Sequence, residues 1–76
     1  MPFEMFRLEA DGQARPYRSV MRRSVVDRLL AVEESPVFAV DTNQLLVVGV
    51  SPGFPDASIA GQPFDQAWQR LGGIPP

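Results

Sequence analysis

The chain of 76 residues contains no cysteine, no histidine and no lysine. Without cysteine it forms no disulfide, and without cysteine and histidine it offers neither a Cys/His zinc site nor a nucleophile paired with a histidine base. Its nine carboxylates are scattered and lack the spacing of an EF-hand. Asp41 and Asp56 come closest to an acid/base pair, but both lie in segments typical of turns. We therefore expect no catalytic residue, no metal ion and no cofactor, and a protein that is not an enzyme.

Long hydrophobic runs are also absent. The longest apolar run, with one glycine in it, covers residues 45–50 and is far too short to span a bilayer. The N-terminus lacks the basic segment followed by an apolar segment that marks a secretory signal. We expect a cytoplasmic protein without membrane contact. A single domain over residues 1–76 has a small core, so docking on a partner or pairing of two copies is expected to add stability.

Basic charge is concentrated in one short stretch. Five of the seven arginines lie within residues 15–28, and we call them the arginine belt: Arg15, Arg18, Arg22, Arg23 and Arg28. Asp27 is the one acid among them, so residues 15–28 carry +4, whereas residues 1–14 carry −2 and residues 29–76 carry −4, which sums to the net charge of −2. Such polarity governs partners and encounter rates rather than the fold.

The beginning of the chain predicts a β-hairpin. Residues 2–10 alternate loosely between apolar and polar side chains, and the Asp-Gly pair at residues 11–12 favours a reversal. Residues 14–22 then return as a second strand. An alternative interpretation starts a helix at Pro16, since proline suits the first helical turn, and continues it unbroken to Glu34.

Ser24 favours the strand, because it marks the start of a separate helix. Ser24 and Asp27 have the spacing of a capping box just before an apolar stretch. The apolar residues that follow recur with a helical period on one arc, which comprises Val25, Val26, Leu29, Leu30 and Val32. Pro36 ends the pattern, because the residue before a proline disfavours the helical region. We predict a helix over residues 24–34.

A second hairpin is predicted from residues 37–40 and 45–50, which are rich in β-branched residues and flank a turn-forming segment. Residues 45–50 do not alternate, so we expect this strand to be central and buried on both faces. Gly49 within it indicates a bulge or a close backbone approach. A Pro/Gly-rich loop, residues 51–63, and a short C-terminal helix, residues 64–71, complete the chain.

These elements together predict a small single domain of the α+β class. It has an antiparallel sheet of about four strands in two hairpins, one helix packed on the sheet and a short C-terminal helix. A sheet of this kind has open edges. Arginines within residues 14–22 either guard one edge or leave it to form a two-fold homodimer, and the sequence does not choose between these alternatives.

The arginine belt is the main candidate for a binding surface. Arginine forks suit carboxylates and phosphates, and desolvated arginine is enriched at interface hot spots. The alternative is a solvated face whose charges pair with acids of the same chain. Nucleic acid is a weaker candidate partner than protein, since the chain has a net negative charge and no recognisable nucleic-acid-binding motif.

Phe54, in the Pro/Gly-rich loop, is a further candidate contact, because loops on a rigid scaffold often carry binding. The alternative, which we favour, places Phe54 and Ile59 against the body of the domain. Trp68 lies on the predicted C-terminal helix. A single tryptophan on an amphipathic helix is typical of a core anchor, and we expect that role for it.

Part of the chain resembles the opening of a PAS sensory domain. The likeness comprises Val-Phe-Ala-Val-Asp at residues 37–41, the apolar residues 45–48 and a GxPF motif at residues 61–64. The resemblance implies an apolar strand, an aspartate turn, a second strand and a connecting segment, and it implies a place in a sensory assembly. No ligand-binding residue of that family carries over to this sequence.

We expect a non-catalytic protein-binding module that occupies a surface of a larger protein or ribonucleoprotein complex, as small inhibitors encoded by phages or mobile elements do. The expected partner-binding residues are the arginine belt and Phe54. Two alternatives stay open. One is a small nucleic-acid-binding accessory protein that uses the arginine belt, and the other is a part of a PAS-like sensory assembly.

Overall fold

The computed structural model describes residues 2–70, in which four strands form one antiparallel sheet. The strands are β1 (Phe3–Leu8), β2 (Ala14–Val20), β3 (Val37–Asp41) and β4 (Leu46–Val50), and their order across the sheet is β2-β1-β3-β4. Helix α1 (Arg23–Val32) links β2 to β3, a 3₁₀ turn covers Ala57–Ile59, and helix α2 (Phe64–Arg70) follows. This architecture confirms the predicted α+β fold with two hairpins and two helices.

The first hairpin forms as predicted, and the alternative helix starting at Pro16 is wrong. Gly12 adopts a positive φ of 83°, and the Glu9 N–H donates to Gln13 O at 2.8 Å. Gly12 therefore reverses the chain in a backbone conformation that residues with a side chain rarely adopt. Residues 14–20 return from this turn as β2, and the helix begins only after the strand has ended.

The start of α1 differs from the predicted capping box. Arg22, in extended backbone, is the N-cap residue, and its side chain makes no capping hydrogen bond. Ser24 is the second residue of the helix, so the prediction that it caps the helix is wrong. Asp27, the expected partner of Ser24, instead accepts a hydrogen bond from Arg23 Nε at 3.0 Å.

The end of α1 lies two residues earlier than predicted, at Val32 rather than at Glu34. Glu33 has extended backbone, and its Oε1 accepts the Ser35 N–H at 3.3 Å. Such a local bond between side chain and backbone offers the chain an alternative to a further helical turn. No helix among residues 2–70 is long and apolar enough to cross a membrane.

The sheet is covered on both faces, and each face carries a hydrophobic cluster. On the first face α1 packs against the odd-numbered residues of β1, and the buried residues are Phe3, Met5, Val20, Val26, Leu30, Val37 and Ala39. The 3₁₀ turn and α2 cover the second face, where the buried residues are Phe38, Val40, Val47, Phe54, Ile59, Ala67 and Trp68. A short chain thus obtains a larger buried area by using both faces of one sheet.

β3 is the strand buried on both faces, and the expectation that β4 is central is wrong. β3 lies between β1 and β4, and all its residues except Asp41 are buried. β4 stands at the end of the strand order, and only Val47 is fully buried in it. Of the two features expected at Gly49, the bulge is confirmed, because the pairing of β3 with β4 shifts register beside it, and a Cβ there would also lie 2.9 Å from the side-chain atom Leu30 Cδ1. The missing side chain lets α1 sit close to β4.

Residues 51–63 contain the 3₁₀ turn but no strand. Asp56 caps this turn by accepting the Ser58 N–H at 3.1 Å, and Ile59 at its end is fully buried. In α2, Trp68 is only 8% exposed, which confirms its expected role as a core anchor. Residue 71, the last of the predicted C-terminal helix, lies outside the described residues.

Candidate partner-binding surface

The structure divides the arginine belt into members that are paired within the chain and members that are not. Arg15 Nη2 lies 3.0 Å from Asp11 Oδ2 beside the turn of the first hairpin. Arg23 bonds Asp27 at 3.0 Å through Nε, and its Nη2 donates to Val48 O at 3.1 Å. Exposed pairs of this kind contribute about 0–1 kcal/mol. These two arginines therefore fit the interpretation of a solvated, internally paired face.

Asp11 is held in its charged form by its neighbours. The Gln13 N–H, which donates to Asp11 Oδ1 at 3.0 Å, lowers the pKa of Asp11 below its ordinary value of 3.8, and the Arg15 guanidinium acts in the same direction. The charged carboxylate therefore supports the hairpin at pH values above 3.8. That support is lost as the pH falls through the lowered pKa of the folded state.

The side chains of Arg18, Arg22 and Arg28 have no ion-pair or hydrogen-bond partner within residues 2–70. Arg18 on β2 and Arg22 before α1 line the same groove, which runs between β2 and α1 and has a volume of about 450 Å³. We call it the β2/α1 groove. Arg28 lies two residues from the buried Val26 and Leu30 and is exposed on the opposite side of α1. The arginine belt thus brings two free cations to one surface.

The walls of the β2/α1 groove are apolar. Val20 of β2, Val25 and Leu29 of α1, and Met21 between the two elements line it, and Met21 is 62% exposed. Val32 continues the row of Val25 and Leu29 on the same side of the helix and is 74% exposed. Among the residues that the structure describes, no acidic side chain lines the groove. The β2/α1 groove is therefore an apolar surface bordered by two positive charges.

Tyr17 joins β2 to the C-terminal end of α1. Its hydroxyl donates to Glu33 Oε2 at 3.2 Å, and the Arg7 guanidinium carbon lies 4.6 Å from the centre of its ring. Tyr17 is the extra residue of a β-bulge, since its two neighbours in β2 pair with consecutive residues of β1. The hydrogen bond to Glu33 connects β2 to the residue that follows α1, whereas the contact with Arg7 connects β2 to β1.

Of the two sheet edges, the edge formed by β4 is covered. Val47 donates its N–H to Gln62 O at 2.9 Å and accepts the Gly61 N–H at 2.8 Å. The Phe64 N–H donates to Leu45 O at 2.7 Å. β2, at the other end of the strand order, has no such neighbour among residues 2–70, and most of its side chains are exposed. The open edge therefore lies directly beside the β2/α1 groove.

No protein-family model, curated protein or solved structure matches this chain. The likeness to PAS domains consequently rests on the short motifs within residues 37–64 alone. The structure does place a strand, a turn that starts at Asp41 and a second strand in the implied order.

Phe54 does not lie on the candidate surface, so its proposed place among the contact residues is corrected. Its side chain is 7% exposed and meets the Phe38 ring edge-on, with the ring centroids 5.7 Å apart. Ile59 of the same loop is also buried. The Pro/Gly-rich loop keeps its apolar side chains inside because the second face of the sheet needs them as cover.

The carboxylates in the turns are engaged by the local backbone. Asp41 Oδ1 accepts the N–H groups of Asn43 and Gln44 at 2.9 and 3.2 Å, and Asp56 accepts the Ser58 N–H. These are the ordinary contacts of turn aspartates. No group of three or more potential metal-ligating side chains occurs in the part of the chain that the structure describes.

Met21 and Val32 are the surface residues that the sequence does not single out. Val32 belongs to the predicted core arc, yet it is exposed because the neighbour of α1 on that side is an edge strand. Met21 follows β2 directly and precedes Arg22. A helical period indicates which residues share a face of α1, but it does not indicate where the sheet beneath that face ends.

Proposed function

We propose that this chain is a non-catalytic protein-binding module that contacts its partner at the β2/α1 groove. The observation that carries the proposal is that Arg18 and Arg22 line the groove, next to the exposed Met21, and that their side chains have no partner inside the described residues. An unpaired cation beside apolar surface gains a carboxylate and buries area when a protein binds. Arg15 and Arg23, which already have partners, gain less.

Nucleic acid is the alternative partner, and the composition of the groove favours protein. A phosphate backbone is bound through several cations in a row, each of which replaces a counterion. Here two free arginines flank apolar side chains, and the chain as a whole has a net charge of −2. A protein segment that carries both carboxylates and apolar side chains matches this combination better than a polyphosphate does.

A module of this kind acts by occupying a surface of its partner. It contributes no nucleophile paired with a histidine, so its effect on a larger complex comes from covering a surface there. We propose inhibition of a larger protein or ribonucleoprotein complex as the form of this activity, in the manner of small inhibitors that phages and mobile elements encode. That part of the proposal rests on analogy with such proteins.

A capture experiment with matched variants tests the binding site. The tagged chain is incubated with lysate of its source cell, with and without nuclease, and the captured proteins are identified by mass spectrometry. One double variant, Arg18→Ala with Arg22→Ala, removes the free cations of the groove. The other, Arg15→Ala with Arg23→Ala, removes the paired ones. Each variant loses two positive charges, so a difference between them reports position rather than net charge.

We expect a stoichiometric protein partner that survives nuclease treatment. Its recovery falls about tenfold with the Arg18→Ala/Arg22→Ala variant and is nearly unchanged with the Arg15→Ala/Arg23→Ala variant. An equal fall in both variants would contradict binding at the groove. Recovery of nucleic acid alone, lost on nuclease treatment and weakening steeply with salt, would replace the proposal with the nucleic-acid-binding alternative.

A further inference from the structure

The hydrogen bonds of β1 show which way its backbone groups point. The Leu8 N–H donates to Pro36 O at 2.9 Å, and Pro2 O accepts the Thr42 N–H at 2.8 Å. Even-numbered residues of β1 therefore bond toward β3. In an antiparallel ladder, the residues that bond to one neighbouring strand alternate with the residues that bond to the other. The odd-numbered residues of β1 accordingly bond toward β2.

The same alternation leaves Ser19 of β2 facing outward. Odd-numbered residues of β1 pair with Val20 and Arg18, so these two residues bond inward. Ser19, between them, directs its backbone N–H and C=O to the open edge. Pro16 has no N–H to offer there, which is the usual position of proline in an edge strand. The part of the edge free to bond is therefore centred on Ser19 and lies next to Met21.

We propose that an extended acidic segment of the partner protein adds to this edge as a further strand, which deepens the proposed function and rests on it. An added strand gains affinity from main-chain hydrogen bonds and specificity from pockets for alternate side chains. Its groove-facing residues would lie opposite Arg18, Val20 and Arg22, which follow one another at intervals of two residues. The added strand would therefore have an acidic residue at its first and fifth positions, an apolar residue at its third position, and any residue at the second and fourth.

Charge decides between this occupant and a second copy of the chain. β2 contains Arg15 and Arg18 and no acidic residue, and Arg22 follows shortly after it. A two-fold pairing of β2 with β2 of a second copy would gather these arginines from both copies along one seam. Like charges directly opposite one another on paired strands are destabilising, as Arg18 and Arg22 are when Ser19 of one copy pairs with Met21 of the other. An acidic strand removes that repulsion and supplies a partner to each free arginine that lines the groove.

Three synthetic peptides test the proposal on the full chain. The first, Thr-Glu-Thr-Val-Thr-Glu-Thr, carries the proposed pattern, and the second has lysine in place of both glutamates. The third repeats the first with N-methyl groups on the two threonines that flank the valine, so that their N–H groups no longer donate to the edge. Each peptide is titrated into isotope-labelled protein, and the amide signals of residues 15–22 are followed by NMR.

We expect the acidic peptide to shift the signals around Ser19 and to bind about tenfold more tightly than the lysine peptide and the N-methylated peptide. The Arg18→Ala/Arg22→Ala variant should bind the acidic peptide about tenfold more weakly, whereas the Arg15→Ala/Arg23→Ala variant should stay within about twofold. Equal binding of the N-methylated peptide, or shifts confined to residues away from β2, would overturn strand addition.

Failure of this inference is separable from failure of the proposed function. Absence of binding by the acidic peptide at millimolar concentration overturns strand addition. The proposed function would still be supported if the captured partner were lost by the Arg18→Ala/Arg22→Ala variant and retained by the Arg15→Ala/Arg23→Ala variant. Self-association of the chain through β2, detected by sedimentation and by signal shifts at Ser19, would make the occupant a second copy and would also overturn the inference.

Discussion

The Ser51 hydroxyl joins the end of β4 to the chain that enters β3. It accepts the Val37 N–H at 2.9 Å and donates to Ser35 O at 2.7 Å, and Ser51 is 2% exposed. Ser51→Ala would remove the partner of the buried Val37 N–H and of the partly buried Ser35 carbonyl. We expect a loss of about 2–3 kcal/mol in the free energy of unfolding, measured by urea denaturation.

Ser24→Ala is the control for Ser51→Ala. Ser24 is exposed inside α1, where alanine is the better helix former, so we expect a change within about 0.5 kcal/mol. If Ser24 capped the helix after all, its loss would cost about 1 kcal/mol. A Ser51→Ala variant as stable as the Ser24→Ala variant would contradict the role assigned to the buried hydroxyl.

Leu45 carries backbone strain in the turn between β3 and β4. Its φ is 54°, and its side chain is 58% exposed, so little packing offsets the strain. A residue with a side chain loses roughly 1–2 kcal/mol in the left-handed region, and asparagine tolerates that region better than leucine. We expect Leu45→Asn to raise the free energy of unfolding by up to about 1 kcal/mol.

The neighbouring substitution Gln44→Asn separates strain from a general effect of asparagine in the turn. Gln44 has no positive φ, so we expect its replacement to change the free energy of unfolding by less than about 0.5 kcal/mol. Both variants are compared by thermal and urea denaturation. Equal effects of the two substitutions, or a less stable Leu45→Asn variant, would speak against strain at Leu45.

At the scale of elements, α1 is attached to the sheet by one row of side chains and leaves another row open. Leu30 is 5% exposed and reaches Gly49 of β4, whereas Val32 at the end of α1 is 74% exposed. We expect Leu30→Ala to lower the free energy of unfolding by about 2–5 kcal/mol. Val32→Ala should change it by less than about 0.5 kcal/mol. A large loss from Val32→Ala would mean that this residue belongs to the core.

The hairpins were predictable from sequence because their signals are local. The Asp-Gly turn at residues 11–12 and the β-branched runs within residues 37–50 act over a few positions. The strand order is not predictable from the sequence, and the lack of alternation in residues 45–50 wrongly indicates that β4 is a central strand. Its outer edge is covered by residues 61–64, a Pro/Gly-rich segment whose pairing depends on its path across the sheet. The spacing of apolar residues in the sequence does not predict such a contact.

The candidate surface was predictable in part. The i, i+4 spacing of Arg23 and Asp27 on a helix indicates their ion pair. Predicting the β2/α1 groove requires two further facts, that β2 is an edge strand and that α1 lies against it. Both depend on the long-range pairing of β1 with β3, which sequence patterns leave open. The clustering of five arginines in the sequence therefore indicates a positively charged surface correctly, but only Arg18 and Arg22 of the five line the groove.

At the scale of the whole molecule, the two hydrophobic clusters share one sheet. Val26 lies in the cluster under α1, and Trp68 lies in the cluster on the opposite face, among the rings of Phe6 and Phe64. The same four strands separate and support both clusters. Loss of either cluster exposes a face of every strand, so we expect the domain to unfold in one cooperative transition.

Val26→Ala tests this coupling, because Trp68 is the one tryptophan of the chain and reports on the opposite face. Val26 is fully buried, and its truncation should lower the free energy of unfolding by about 2 kcal/mol. We expect the urea midpoint followed by Trp68 fluorescence to fall together with the midpoint followed by circular dichroism. If the fluorescence midpoint stayed at its original value while the circular dichroism midpoint fell, the two faces would unfold separately. Coincident shifts would mean that binding at the β2/α1 groove stabilises the whole domain, since a ligand of the native state stabilises the entire cooperative unit.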